Sequence, residues 1–281
     1  MPPMLTTTNG TGAILPADVR ELIILPLREQ SVAMQCATVI TTGAHEVHFP
    51  RQTSEIEAQW AEEGAELAVD DISFDEVTVR PSKVGAITSA SNELIADSSP
   101  EAAALVGDSI AAALVNAVDK AFFGALPAPA PSGLGALADD DVILIGTDHS
   151  GLDPFAKAVS DAAQVGATLT SWVMNPATAL TYALLREGEG SERTLLGVDP
   201  AMPTRRLIEG RPILETRHVP EGLVWGVPEA RAYVVLREDV QVDTSRDAAF
   251  SRDVTLLRGT LRIGFALDTA PGLVKIADIS G

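Results

Sequence analysis

The chain has 281 residues, 46% of them apolar, enough to bury a sizeable core as one large domain or two ordinary ones; wholesale disorder is excluded. Its 39 acidic and 20 basic residues give a net charge of −19, so the surface repels nucleic acid at long range and offers no stripe for following a phosphate backbone. A container, however, need not grip what it encloses. Mean hydropathy of +0.17 points to much buried surface, within the chain or between copies of it. Cys36 is the only cysteine, which excludes an internal disulfide framework and reads as a small buried hydrophobe. No apolar run reaches the roughly 18 residues of a membrane span. The start, MPPMLTTTNGTG, has neither a basic nor an apolar stretch, so no signal peptide is expected.

Residues 1–13 are rich in Thr, Gly and Pro and are expected to be extended or mobile on their own. Asp18 to Glu29 is a short amphipathic piece with Leu22, Ile23, Leu25 and Leu27; Pro26 either interrupts it or leaves a kinked or split helix. Ser31–Thr41 (SVAMQCATVIT) reads as an apolar strand, and the alternation in HEVHFP after Gly43 as another.

Gln52 to Val79 holds nine acidic residues and no basic one. Ile56, Ala58 and Trp60 nevertheless alternate on one side, and Phe74, Val77 and Val79 give a second apolar run. The pattern is two extended arms joined at a polar tip, EEGAELAVDDIS. An isolated two-stranded ribbon is marginal in water, so a partner is expected to cover it, which argues for oligomerisation. The other reading is an acidic hairpin facing solvent with no partner. Arg80 to Ser89 returns as a strand, and Asn92 to Ala96 forms a brief helical turn.

Ser99 to Gly124 is the longest clean helical signal. Ser99 stands at the N-cap, Pro100 at the first helical position and Glu101 in the first turn, with Gly124 at the C-terminal stop. Val106, Ile110, Leu114, Val118 and Phe122 recur every fourth residue, widened by Leu105, Ala113, Ala117 and Ala121. Asp108, Asn116, Asp119 and Lys120 fall off the stripe. At about 1.5 Å per residue the helix is roughly 36 Å long.

Pro127, Pro129 and Pro131, with Gly133 and Gly135, mark a break between subdomains. Beyond it come a strand at Val142–Ile145, a helix opened by Asp153-Pro154 and running through Gln164, a strand at Thr168–Met174, and a helix capped by Asn175-Pro176 and running through Glu187 with Ala179, Leu180, Ala183 and Leu184. Gly188–Gly197 is a polar loop, and Gly210-Arg211-Pro212 a turn before the strand ILET. Four alternating strands, Ala232–Leu236, Val240–Thr244, Val254–Arg258 and Leu261–Leu267, precede a last one at Leu273–Ile276.

Chemistry is sparse. His45 and His48 are three apart in an extended run and point to opposite faces, so they do not share a metal. Asp139-Asp140-Asp141 and Asp148-His149 lack calcium-loop spacing and read as solvated acidic loops. Gly133-x-Gly135 lacks the third glycine of a dinucleotide loop. G-x-S-x-G, H-E-x-x-H and Walker patterns do not occur. The residues give an acidic, assembly-prone α+β protein with no catalytic constellation and no cofactor requirement.

The order of elements resembles the major capsid proteins of tailed bacteriophages, with the Hong Kong 97-type capsid fold. The match rests on EEGAELAVDDISFDEVTVRPSKVGAITSASNELIADSSP (residues 62–100), WVMNPAT (172–178), EGRPILET (209–216) and the RED-x-x-V-D-x-S strand (237–245) followed by Arg258 and Arg262. The resemblance implies an N-terminal arm (1–45), an extended loop across the adjacent subunit (46–82), a peripheral domain with the spine helix (83–125), an axial domain (126–225), peripheral strands (226–262) and C-terminal axial strands (263–281). It further implies pentamers and hexamers closing into an icosahedral head around double-stranded DNA, without sequence-specific binding and without a membrane. A portal protein, and a scaffolding or decoration protein, are the partners it brings with it.

Expected inter-subunit contacts are Leu22, Ile23 and Leu25 on the arm, Ile56, Trp60 and Phe74 on the loop, and Arg80 and Lys83 where the loop returns. Some relatives join subunits through a loop lysine, and Gln52–Val79 has none, so non-covalent contacts are expected. The charge-rich delta domain of some relatives is absent, which leaves a processed product or a separate scaffold, with Met1 favouring the scaffold. An encapsulin, a protein-filled compartment of the same fold, is the second reading, and an enzyme of unknown chemistry the third.

Overall fold

One unbroken helix, Pro100–Phe123, is the spine of the subunit. The computed structural model describes residues 27–52, 60, 74–91, 100–188, 193–198, 202, 205–245, 254–267 and 272–278. The sequence-derived cap Ser99, the helical turn at 92–96 and the ribbon tip lie outside the described residues. Along the spine, Ile110, Leu114, Val118 and Phe122 are buried as their spacing requires. The stripe is widened by Ala111, Val115 and Ala121, whereas Ala113 is exposed. At about 100° per residue, Ala111 and Val115 fall inside the arc that starts at Ile110, and Ala113 falls outside it.

The spine lies on a four-stranded sheet ordered Thr38–Thr42, Ala232–Ser245, Val254–Leu267, Ser82–Ser91. Its first pair is parallel and the others antiparallel. Alternation divides its faces. Val234, Leu236, Leu261, Ile263 and Phe265 point to the spine, and Phe265 meets Phe122 edge-on with ring centroids 5.0 Å apart. The opposite face carries Tyr233, Val235 and Ala266. The four short strands expected between Ala232 and Leu267 are two long ones. A bulge between Arg237 and Gln241 absorbs the charged interruption, so pairing resumes instead of ending.

A seven-stranded mixed sheet makes the second unit, ordered Ile143–Thr147, Val274–Asp278, Leu223–Val227, Ser171–Met174, Arg211–Glu215, Arg206–Ile208, Gly197–Val198. The strand Leu223–Val227, between Val274–Asp278 and the central Ser171–Met174, is not among the sequence-derived strands. Helices Asp153–Gln164 and Pro176–Ala183 pack on it, around Phe155, Trp172 and Tyr182. Asn175 caps the second helix by accepting from the Ala177 amide at 3.0 Å. That helix ends near Ala183 rather than Glu187, and the first has Leu152, not Asp153, at its N-cap. Glu209 and Gly210, both at positive φ, form the tight turn between Arg206–Ile208 and Arg211–Glu215.

The N-terminal segment differs most from its sequence reading. Ser31–Thr41 is not one strand but a short helix, Val32–Cys36, followed by the strand Thr38–Thr42. Asp119 is the cause. Expected on the solvent side, its side chain is buried and accepts from the Ser31 hydroxyl at 2.6 Å, the Ala33 amide at 3.1 Å and the Val32 amide at 3.2 Å. The carboxyl thus satisfies the free amides at the start of the short helix and pins it to the spine. Burial raises the Asp119 pKa, opposed by these three hydrogen bonds and by nearby His218.

Asp119→Ala leaves a buried hydroxyl and two buried amides unpaired, so chemical denaturation of the unassembled subunit should show a loss of about 3 kcal/mol. A carboxyl whose pKa is raised on folding adds stability that is full below the ordinary carboxylate range and is lost as pH rises through the raised value. The wild type's advantage over Asp119→Asn should therefore narrow as the pH of urea titrations rises through that window.

Candidate assembly interface

The ribbon begins as Val47–Gln52 paired antiparallel with Phe74–Val79, Val47 opposite Val79 and Gln52 opposite Phe74. Its base packs on the sheet face turned away from the spine. Val79 is buried against Val235 and Ala266, and Phe49 stacks on Tyr233 at 5.0 Å. Gly264 makes the approach possible, because a Cβ there would lie 2.6 Å from Val79 Cγ1. Polar groups flank the base. Arg80 pairs with Glu46 at 2.8 Å, His48 with Glu76 and the Thr78 hydroxyl, and His45 with Arg237. The side chains of the Arg80–Glu46 and His48–Glu76 pairs are 40–76% exposed, so each contributes under ~1 kcal/mol, and the apolar contacts hold the base.

Farther out, Trp60 is as exposed as an isolated residue, at 104%. Of the other sequence-derived contact residues, Leu22, Ile23, Leu25 and Ile56 lie outside the described residues. Phe74 stands at the outer end of the paired base, Arg80 beside Glu46, and Lys83 exposed on the edge strand Ser82–Ser91. The structure therefore does not gather them: Phe74 and Arg80 stand at opposite ends of the strand Phe74–Val79, Lys83 lies past the root on the sheet edge, and Trp60 is fully exposed.

Two further apolar surfaces escape the sequence reading. Ile87 is exposed on the edge strand, two turns of the pleat beyond Lys83 and on the same face. Leu180 and Leu184 are exposed, while Ala179 and Ala183, one residue earlier, are buried. Helical spacing places all four on one broad stripe; the small members pack inward on Trp172 and Tyr182 and the large ones are left outside.

The acidic loops are turns. Asp139 pairs with Lys275 at 2.6 Å. Asp148 accepts from the hydroxyl and amide of Ser150, which hold its carboxyl below the usual range. His149, at φ +57, bonds the Tyr182 hydroxyl at 2.6 Å, and burial raises the Tyr182 pKa. Among the described residues, no group of His, Cys, Asp and Glu side chains is placed to hold a metal.

A spine helix on one sheet, a ribbon rooted on its far side and a second mixed sheet make up the subunit fold of phage capsids. A chain in the structure of Microbacterium phage Oxtober96 superposes with a TM-score of 0.72 at 18% identity, over 99% of this chain and 96% of that one. The capsid of an empty GTA particle superposes at 0.71 and 19% identity, over 99% and 94%. The chain belongs to the phage capsid family, whose model matches residues 11–277. It is 26% identical to the major capsid protein of Klebsiella oxytoca phage phiKO2, over 90% of this chain and 65% of that protein. The chain thus spans somewhat under two thirds of the length of that relative.

Because Val79 packs on bare backbone, Gly264→Ala should loosen the ribbon at its root, at a cost of about 1–3 kcal/mol. Amide exchange at Val77 and Val79 should quicken while exchange along the spine stays slow, a difference that mass spectrometry resolves.

Proposed function

We propose that this chain is a major capsid protein, the repeating subunit of an icosahedral virion head that assembles as pentamers and hexamers around double-stranded DNA. The observation that carries this reading is the ribbon, packed at its root and bare at Trp60. In a capsid family, such a surface is met by further copies of the same chain. Residues 1–45 then act as an arm over one neighbour and 46–82 as a loop across another, with Leu22, Ile23, Leu25, Ile56, Trp60, Phe74, Arg80 and Lys83 as contacts. The spine and the four-stranded sheet form the peripheral domain, and the seven-stranded sheet the axial domain. The role is structural rather than catalytic. With no lysine between Gln52 and Val79, the shell is held by non-covalent contacts, assisted by a scaffolding or decoration protein and closed on a portal.

Electron microscopy of the protein produced with and without its neighbouring genes, alongside a nuclease-protection assay, tests the reading. Large icosahedral shells, or rings and capsomers that close when a scaffold or portal is added, are expected. Small closed shells of protein cargo without protected DNA would replace the phage head with an encapsulin-type compartment. A stable monomer at every ionic strength would end both. Trp60→Ala should leave circular dichroism and subunit stability unchanged, because the indole is fully exposed and packs on nothing among the described residues, yet reduce shell yield severalfold.

A further inference from the structure

The four-stranded sheet ends at Ser82–Ser91, a strand of ten residues that pairs on one side only, with Val254–Leu267. Among the described residues, no backbone hydrogen bond reaches its other side. Such an edge presents a row of free N–H and C=O groups, and sheets ordinarily blunt it by brevity, proline, a bulge, charge or a cover. This one is nearly twice the usual strand length of about 5–6 residues. It contains no proline, and its register runs without a shift from Ser91 opposite Val254 to Ser82 opposite Ile263. Its only charge is Lys83, near one end. The Pro127–Pro131 loop lies near its first residues, Ser82–Val84, across a cleft of about 330 Å³, and does not pair with them.

The two faces of the strand differ. Val84 and Ala86 pack toward the spine, so Lys83, Gly85, Ile87, Ser89 and Ser91 turn the other way, and all of these are exposed. Ile87, at 67% exposure, is the one large apolar side chain on that face of the strand and stands at the midpoint of Lys83–Ser91. We infer that this edge pairs antiparallel with the same edge of a second copy, Ile87 opposite Ile87, joining two four-stranded sheets into one of eight strands. The inference rests on the assembly reading and adds a contact made by neither the arm nor the ribbon.

Residues directly opposite in an antiparallel pair turn to the same face, so the two-fold axis stands level with a residue and not between two. Level with Ile87, it sets Lys83 against Ser91 and Gly85 against Ser89, so the two lysines never face each other and each isoleucine gains an apolar partner. An axis level with Ala86 or Thr88 would set Ile87 against Gly85 or Ser89 instead. An axis normal to the sheet also keeps both spines on the same side, as subunits related by a radial two-fold of a closed shell must.

The chain's one cysteine, Cys36, is buried, so an introduced thiol reports alone. Ile87→Cys shells treated with a mild oxidant should run mainly as disulfide-linked dimers on non-reducing electrophoresis. Cα atoms of directly opposed residues lie about 4.5–5.5 Å apart, within disulfide reach. Ser89→Cys shells should stay monomeric, because that residue meets Gly85 and its own counterpart lies ~13 Å away along the strand. Shells mixed from Lys83→Cys and Ser91→Cys subunits should link only one position to the other. Assembled Ile87→Cys shells that stay monomeric, or link no better than Ser89→Cys shells, would overturn the inference and leave the assembly reading intact. Where that variant fails to assemble, the mixed shells decide in the same way. Failure of the unaltered protein to form shells or capsomers would overturn both.

Charge gives a second arm. Ile87→Lys places two ammonium groups opposite each other across the pair, which should raise the subunit concentration for half-assembly about tenfold. Thermal unfolding of the free subunit should not change, because the side chain is exposed. Raising salt from about 0.1 M to about 1 M, where the screening length falls to about 3 Å, should recover part of the loss. Ile87→Val should show no loss. An Ile87→Lys variant that assembles as the wild type does would remove the edge from the account.

Discussion

Close approach on both faces of a single strand governs this subunit. Along Val254–Leu267, odd-numbered residues face the spine and even-numbered ones face the ribbon. On the first face, a Cβ at Gly259 would lie 2.4 Å from Ile110 Cγ2; on the second, one at Gly264 would lie 2.6 Å from Val79 Cγ1. Helix and ribbon are thus seated against backbone on opposite sides of one strand. The strict two-residue period means that a register slip of one would exchange the two faces. The two glycines are five positions apart, an odd offset, which is what puts them on opposite sides.

That strand also explains how the two units are joined. The chain leaves the four-stranded sheet through the spine, builds most of the seven-stranded sheet, returns for Ala232–Leu267, and finishes with Val274–Asp278 back in the second sheet. Core residues do not respect the division: Val173, Leu214 and Trp225 of the second sheet pack in the same cluster as Leu114, Val118 and Phe122 of the spine. Three chain crossings and a shared core make the pair of sheets one mechanical body. The root of the ribbon is fixed to that body and not to a hinge.

Much of this was legible in the residues. The spine declared itself through Pro100 and four-residue apolar spacing, and the strand Phe74–Val79 through its alternation, both local signals; its partner is the HEVHFP strand, Val47–Gln52, read from the sequence as a separate element, while the Ile56–Trp60 arm lies outside the described residues save for Trp60. Ser31–Thr41 was not legible. An apolar run without turn residues looks like a strand, and its first half is helical because Asp119, nearly ninety positions away, supplies the acceptor for its free amides. The bulge at Arg237–Gln241 was hidden for a related reason: a charged interruption ends a strand in a local reading, whereas a long partner strand carries pairing across it. At the interface, Trp60 stood out as an aromatic in an acidic segment. Leu180 and Leu184 did not, since periodicity finds a stripe but not which half of it is covered.

A bare tryptophan on an extended arm is a hazard to a free subunit, because exposed apolar surface and strand edges invite indiscriminate pairing. The same segment carries its own protection. Nine carboxylates without a balancing cation repel another ribbon of the same kind, so two arms that meet by chance are driven apart. Folding and association are separated as a result. The root of the ribbon belongs to the subunit's own packing, and the charge of the segment beyond it, by forbidding ribbon-to-ribbon pairing, contributes specificity as an attractive contact would.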